Sequence, residues 1–435
     1  MPRILSASLL LALAVPLAAQ ADTAADIAAL RQEIDAIRSS YEQRLQALER
    51  KLQAAQAQQA APAANVAAVA PPAAPAPGGG ANAFNPALSL ILSGTYGRTT
   101  RDPASYSVTG FPLPAGADIA PSRGFSLAES ELGLSASIDP WLRGQASLSF
   151  HPDNTVSVEE AFVQTTSLGQ GLSLKAGRFL SGIGYLNEQH SHTWDFADAP
   201  LAYQVFLGTQ FADDGLQLRW LAPTDLFLEA GAEVGRGRGF PGSDSSRNGA
   251  GAGALFAHAG GDVGDSHSWR AGLSLLQARP ANQTLLTTGA FGGTATGVYS
   301  GRARVLVADG VWKWAPNGNA TRTNLKLQGE YLRSTRDDRA AQSGWYLQAA
   351  YQFMPRWRAG VRTERLDSAS VPDPDLLAAA VYLPRKDSLM LEFNPSEFSR
   401  LRLQLARDRS RAGLPDNQLL LQYQMSLGAH GAHGF

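Results

Sequence analysis

Two histidines and three carboxylates stand close together in one stretch of the sequence, Glu188-Gln-His190-Ser-His192-Thr-Trp-Asp195-Phe-Ala-Asp198. Imidazole nitrogens and carboxylate oxygens are ligands that zinc and copper accept. The sequence therefore predicts a metal site at His190 and His192, with Glu188 nearby. Polar histidines exposed in a loop would show the same spacing, so this alternative stays open.

The same stretch carries only acidic charge. No Lys or Arg occurs between Arg178 and Arg219, whereas Asp213 and Asp214 add further carboxylates. Rings of carboxylates at the narrowest point of a channel attract cations. We therefore expect a cation-preferring constriction formed by Glu188, His190, His192, Asp195 and Asp198.

A second pair of histidines, His430 and His433, lies in the C-terminal sequence GAHGAHGF. They are a second candidate metal contact, or else polar residues near the periplasmic mouth of a channel. The Gly-rich sequence at 235–239 lacks the Lys of a phosphate-binding loop and is interpreted as a surface loop. We predict no enzyme activity and no cofactor, apart from a zinc ion that is transported or transiently bound.

Composition excludes several classes of protein. The chain of 435 residues has a formal net charge of -1 and no cysteine, which excludes disulfides, thiolate metal sites and cysteine nucleophiles. A near-zero net charge gives no reason to expect nucleic acid as a partner. Beyond the N-terminus, no window approaches the roughly 18 consecutive apolar residues of a membrane-spanning helix.

The histidines lie in a long segment without periodicity, 180–212, between two alternating strands at 172–179 and 215–221. Long structureless loops in compact proteins are functional or disordered. This one contains aromatic residues, which argue against disorder. We therefore predict that it folds into the space enclosed by the neighbouring strands.

Most of the chain after Phe84 has hydrophobic residues at every second position, which is typical of strands with one apolar face. Tight turns such as Asp139-Pro140-Trp141 alternate with long polar segments such as 99–123 and 279–301. Short turns at one end and long loops at the other are typical of an outer-membrane β-barrel. We predict an all-β membrane barrel of about 16 antiparallel strands over 85–435.

The polar face of these strands carries both charges. We predict a lumen wall of paired, solvated residues that is only weakly selective, because arginines alternate with Glu330 and two other glutamates on the same face. The wall residues singled out are Arg358, Arg362, Glu364, Glu392, Arg400 and Arg402.

Three segments precede the barrel. Residues 1–21 resemble a signal peptide that ends in Ala19-Gln20-Ala21. Residues 22–59 have a heptad seam with one stutter, and Ile at successive core positions favours a trimeric coiled coil over a dimer; a solvated helix without a partner is the alternative. Residues 60–84 are a linker rich in Ala, Pro and Gly.

The sequences YQFMPRW at 351–357 and FNPSEFSRLRL at 393–403, together with the terminal Phe435, resemble the phosphate-selective porin superfamily. A subgroup with an N-terminal coiled coil is associated with metal uptake and is sometimes labelled TonB-dependent receptor. The resemblance covers nearly the whole chain and implies a homotrimeric channel in the outer membrane of a Gram-negative bacterium. It also implies a periplasmic coiled coil, contact with outer-membrane lipid, and barrel assembly machinery that reads Phe435.

One feature departs from that family. Phosphate selectivity requires a ladder of Arg and Lys at the constriction, and the 180–212 segment has none. We therefore predict passive passage of small solutes or ions, with a preference for cations and a relation to zinc or another divalent metal.

Three alternatives are carried with this prediction. A TonB-dependent receptor would need an N-terminal plug and roughly 22 strands. An outer-membrane hydrolase would need His151, His190 or His192 beside a wall serine. A structural tether would use the coiled coil to bind peptidoglycan or another partner.

Overall fold

A computed structural model describes residues 86–115, 119–128, 130–244, 248–288, 293–369 and 382–428. The predicted signal peptide (1–21), coiled coil (22–59) and linker (60–84) lie outside the described residues, as do His430 and His433. These predictions therefore stay predictions.

The strands form one closed antiparallel wall in which β1 pairs with β20. The main sheet has 17 strands, but β3 and β4 pair with successive parts of β1 and form one wall strand, which leaves 16. The wall strands are β1 (Ala87–Thr99), β3 (Gly124–Leu127) with β4 (Ser130–Ser137), β5 (Leu142–Phe150), β6 (Val156–Thr165), β7 (Leu172–Leu180), β8 (Ala212–Leu221), β9 (Phe227–Gly235), β10 (Ala252–Val263), β11 (His267–Ala278), β14 (Ala303–Trp314), β15 (Asn324–Arg336), β16 (Arg339–Met354), β17 (Trp357–Asp367), β18 (Arg385–Ser396), β19 (Ser399–Arg409) and β20 (Asp416–Gly428).

Other elements lie in the connections. Strands β2 (Pro112–Pro114), β12 (Gln283–Thr288) and β13 (Thr294–Tyr299) form a small separate sheet, and α1 spans Leu201–Leu207. Among the described residues, no helix has the length and apolar content needed to cross a membrane.

The two ends of the barrel differ as the sequence predicted. One end carries short connections such as 138–141, 222–226 and 355–356, together with the first residue of β1 and the last of β20; we call it the turn side. The other, the loop side, carries the connections 100–123, 181–211, 236–251 and 279–302. The prediction of about 16 antiparallel strands is confirmed.

Side chains of β20 show how the alternating sequence builds the wall. Leu421 and Tyr423 face outward and are 45% and 42% exposed, whereas Gln422 and Gln424 face the lumen and are buried. An outward apolar face and an inward polar face are what a barrel surrounded by lipid requires.

The alternating pattern predicted a polar inward face on every strand. This prediction is wrong on one side of the barrel. Inward residues of four neighbouring or nearby strands are apolar and almost fully buried: Leu276 on β11, Val305 and Val307 on β14, Leu332 on β15 and Leu366 on β17. They belong to one hydrophobic cluster with residues of α1. The lumen is apolar here because a chain segment packs against it and excludes water.

That segment is the connection 181–211 between β7 and β8, which we call the inner loop. Its helix α1 contacts β15, β16 and β17, and all seven of its residues are buried. The helix ends at Gly208, whose φ of 64° is a left-handed conformation that favours glycine. Because isolated helices shorter than about 12 residues are marginal in water, the packing against the wall must hold α1 in place.

Truncation of a lumen-facing leucine tests this packing. We expect Leu332→Ala to lower the free energy of unfolding by about 2–5 kcal/mol, since the side chain is fully buried against the inner loop cluster. Leu327→Ala, on the outward face of the same strand with Leu327 37% exposed, is the matched control and should cost less. Heat-induced unfolding of the detergent-solubilised barrel measures both, and equal losses would contradict a packed lumen.

Candidate functional site

His190 and His192 of the inner loop face three glutamates of the barrel wall. His190 Nδ1 lies 3.1 Å from Glu159 Oε2 and 3.3 Å from Glu131 Oε2, and its Nε2 lies 3.1 Å from Glu160 Oε2. His192 Nδ1 lies 3.0 Å from Glu131 Oε2. We call these five residues the histidine–glutamate cluster.

A β-bulge explains how two consecutive glutamates reach the same space. In the pairing of β5 with β6, Ser147 is opposite Glu160 and Leu148 is opposite Val158, so Glu159 is an extra residue. A bulge places two residues of one strand opposite one residue of its neighbour and re-aims a side chain. Glu159 therefore reaches the lumen, where Glu160 also points.

A tight turn of the inner loop brings the two histidines together. Residues 191–193 form a short 3-10 helix, and the Thr193 hydroxyl donates to the carbonyl of His190 over 2.8 Å. The two imidazole rings stack with their centroids 5.5 Å apart and their planes inclined by 26°. Trp194 Nε1 donates to the carbonyl of Gln189 over 3.0 Å, which ties the two ends of the turn together.

The carboxylates set the protonation of His190, which lies outside the spanning strands. Burial alone would lower the pKa of His190, but hydrogen bonds to Glu131, Glu159 and Glu160 outweigh burial and raise this pKa well above its ordinary value. These glutamates therefore stabilise the charged form of the His190 ring and attract it to the barrel wall.

Residues of this turn line two separate cavities. A cavity of about 320 Å³ on the loop side is lined by Ser191 and His192, among others. A cavity of about 570 Å³ on the turn side is lined by Gln189 and His190. The segment 189–192, which we call the loop tip, therefore forms part of the partition between the two sides of the lumen.

The two aspartates of the inner loop meet cations of the opposite wall. Asp195 lies 2.5 Å from Arg358 Nη2 and 3.1 Å from Lys326 Nζ. Asp198 lies 2.7 Å from Arg362 Nη2 and 2.5 Å from Lys386 Nζ. These cations outweigh burial, which alone would raise the pKa, and hold the pKa of both aspartates below the ordinary range.

Glu188 points away from the histidines. Its carboxylate forms an ion pair with Arg219 on β8, and Arg270 Nη2 on β11 lies 3.9 Å away. Burial alone would raise the pKa of Glu188, but attraction by these cations lowers it to about 2. The carboxylates that surround the histidines come instead from the wall.

The structure brings the predicted wall residues together, but they are not solvated as expected: Arg362, Glu364, Glu392 and Arg402 are buried, and Arg358 and Arg400 are half-buried. Arg362 Nε lies 2.7 Å from Glu364 Oε1, and Glu364 also accepts the backbone N–H of Leu201 at the start of α1. Water is excluded because the inner loop covers these side chains.

Glu392 is the centre of a second group on the same wall. It lies 2.9 Å from Arg402 Nη2 and 3.1 Å from Arg358 Nη1, with Arg400 Nε at 3.7 Å. Arg400 and Arg402 each also donate to a backbone carbonyl of the inner loop, at His192 and Trp194. These arginines therefore hold the inner loop and are not an open ladder for anions.

Sequence reasoning missed Glu131, Glu159 and Glu160. A signal for two of them was present, because consecutive acidic residues at 159 and 160 break the alternation of a strand that otherwise exposes every second residue. His151 was one of the histidines considered for a hydrolytic dyad. Its Nε2 lies 2.7 Å from Ser157 Oγ, and this contact joins the two sides of the connection between β5 and β6.

Outer-membrane proteins are among the solved structures to which this chain is similar. A loop-deletion mutant of OmpT, an outer-membrane protein of Vibrio cholerae, matches with a TM-score of 0.51 and 9% identity over 79% of this chain and 99% of that chain. OprB of Pseudomonas putida has 14% identity and a TM-score of 0.49, covering 79% of this chain and 94% of its own. An anion-selective porin from Comamonas acidovorans has 12% identity and a TM-score of 0.48, covering 79% and 99%. The first of these likenesses shows the fold, an outer-membrane type of β-barrel.

No protein-family model matches the sequence. One relative does: an uncharacterised protein of Aquifex aeolicus (strain VF5) is 32% identical over 400 residues, which cover 81% of this chain and 80% of that protein. An identity of this size over most of both chains is a family relationship, and the chain belongs to the same family as the Aquifex aeolicus protein.

Proposed function

We propose that this protein is an outer-membrane channel for the passive passage of small solutes or ions, with the inner loop as its constriction. The observation that carries the proposal is that successive residues of the loop tip line the loop-side and the turn-side cavities. In this proposal, a solute that crosses the barrel passes between this tip and the wall at β4 and β6.

Packing elsewhere in the lumen supports this route. On the side of β14–β17, α1 and apolar wall residues form a continuous cluster that leaves hydrophilic solutes no path. At the loop tip, by contrast, the contacts are between polar and charged side chains. Polar groups can exchange their partners for water or a passing ion at far lower cost than an apolar core can open.

A preference for cations is the finer part of the proposal. Glu188, Asp195 and Asp198 give it little support, since wall cations already pair with them. The support comes from the histidine–glutamate cluster, where three carboxylates face two imidazoles at the point of passage. An excess of carboxylates at a constriction favours cations.

The fold and the sequence support a proposed location and assembly. A barrel with an apolar outer face fits the outer membrane of a Gram-negative bacterium, in contact with its lipid, after insertion by barrel assembly machinery. Residues 22–59 would then form a periplasmic trimer, and contact with peptidoglycan is open to test. The receptor alternative is less favoured, because the wall has 16 strands and not roughly 22.

Planar-bilayer recording of the purified protein tests the channel directly. Under a KCl gradient and with a chelator present, we expect stable current steps and a reversal potential on the cation side. A reversal potential on the anion side would overturn the cation preference. Absence of current from a correctly folded barrel would overturn the channel.

Removal of wall carboxylates tests the source of selectivity. We expect the double change Glu159→Gln and Glu160→Gln to reduce the ratio of cation to anion permeability by several-fold, because two charges leave the constriction and the side-chain shapes are kept. Asp244→Asn is the control, since Asp244 is paired with Arg236 in an exposed loop-side connection. An equal effect of the control would show that the selectivity arises outside the constriction.

Loss of one inner-loop carboxylate tests how the constriction is held. We expect Asp195→Asn to destabilise the docked inner loop by about 3–5 kcal/mol, because Arg358 and Lys326 would face a neutral amide in a buried site. The measured result should be a lower unfolding temperature together with larger, fluctuating current steps. Unchanged stability and current would mean that this ion pair does not hold the inner loop.

A further inference from the structure

We propose that Glu131, His190 and His192 form a binding site for a divalent transition-metal ion that links the loop tip to the barrel wall. Its effect on conductance rests on the proposed channel function, whereas metal binding itself does not. The site joins Glu131 of β4 to two residues of the inner loop.

Distances between the ligand atoms support a small tetrahedral ion. Zinc lies about 2.0–2.2 Å from histidine nitrogens and carboxylate oxygens, so two ligands of a tetrahedral site are about 3.3–3.5 Å apart. Glu131 Oε2 lies 3.3 Å from His190 Nδ1 and 3.0 Å from His192 Nδ1. The ligand atoms of Glu131, His190 and His192 all lie within 4.8 Å of one another, so these three residues can share one ion whose fourth position is left to water. Glu159 Oε2 lies 3.1 Å from His190 Nδ1 and adds a negative charge beside the site.

Glu160 supplies a supporting contact. A histidine that binds a metal through one nitrogen usually donates its other N–H to a carboxylate, which fixes the orientation of the ring. Here Nδ1 of His190 faces the proposed ion position, and Nε2 lies 3.1 Å from Glu160 Oε2.

Charge balance points in the same direction. Glu131 as a ligand, with Glu159 and Glu160 beside the site, supplies negative charge that a divalent ion would balance. Without an ion, Glu131, Glu159 and Glu160 converge within a mostly buried space and repel one another unless the histidines carry protons. A purely hydrogen-bonded cluster of protonated histidines is therefore the competing explanation, and the experiment must separate the two.

Ligand chemistry narrows the choice of ion. Two imidazoles with one carboxylate suit Zn²⁺, Cu²⁺ or Ni²⁺, whereas Mg²⁺ and Ca²⁺ prefer oxygen ligands alone. An ion can reach the site from either side, because His192 lines the loop-side cavity and His190 lines the turn-side cavity. Bound there, it would hold the loop tip against the wall and reduce the current.

Calorimetric titration of the chelator-treated, detergent-solubilised protein with ZnCl₂ tests the site. We expect one binding event per chain that His192→Ala and Glu131→Gln abolish and that Glu160→Gln weakens about 10–100-fold. CoCl₂ should give the visible absorption of a four-coordinate cobalt site, and MgCl₂ should not bind. Thermal unfolding in detergent confirms that each variant is folded.

Two controls separate this site from other histidines. His151→Ala removes the hairpin histidine, and the double change His430→Ala and His433→Ala removes the tail pair; neither should affect the titration. Absence of zinc binding, or binding that only the tail variant abolishes, would overturn the proposal and leave the protonated cluster.

Bilayer recording with ZnCl₂ keeps the two proposals distinguishable. Zinc should reduce the current of the natural protein but not that of His192→Ala. Zinc binding through these ligands in a protein that carries no current would support the site and overturn the channel. A current that zinc leaves unchanged, despite calorimetric binding, would overturn the proposed link between loop tip and wall.

Discussion

Ion pairs between the inner loop and the barrel wall are the interaction on which the interior of this protein depends. Every barrel must satisfy its backbone hydrogen bonds by closure, and that requirement says nothing about the lumen. Here Asp195 and Asp198 each meet two cations of the wall, and removal of either partner would leave a charge in a space with little water. This requirement fixes where residues 195–198 of the inner loop lie, and apolar packing then holds α1 against the wall.

The fold could be predicted because every barrel strand has the same requirements, and their signals repeat along the sequence. Alternation in strands such as β20, and turns such as Asp139-Pro140-Trp141, are local signals that need no knowledge of distant contacts. The apolar inward residues Val305 and Leu332 were not anticipated, because their environment depends on the inner loop. Where that loop packs, the wall strand carries apolar residues on its inward face as well as on its outward face, so the alternation of apolar and polar residues is lost.

The candidate site was predictable only in part, for the same reason. His190 and His192 were noticeable as neighbours in sequence, but Glu188, which is closer to them along the chain than any wall residue, points to Arg219. Glu131 and Glu160 come from strands more than 25 residues away and meet the histidines through barrel closure and a bulge. The inner loop is acidic, as its sequence shows, but cations on distant wall strands pair with its carboxylates. The sequence of the loop itself cannot predict these partners.

Attachment of the inner loop is strongly asymmetric. Toward β14–β19 it is held by an apolar cluster and by several ion pairs, whereas toward β4 and β6 the loop tip is held by side chains of the histidine–glutamate cluster. The inner loop therefore fills the β14–β19 side of the lumen and leaves the β4–β6 side less filled. An aqueous path would lie off the barrel axis, on the β4–β6 side. Substitutions on the β14–β19 side would then change stability, whereas substitutions at the same depth on the β4–β6 side would change permeation.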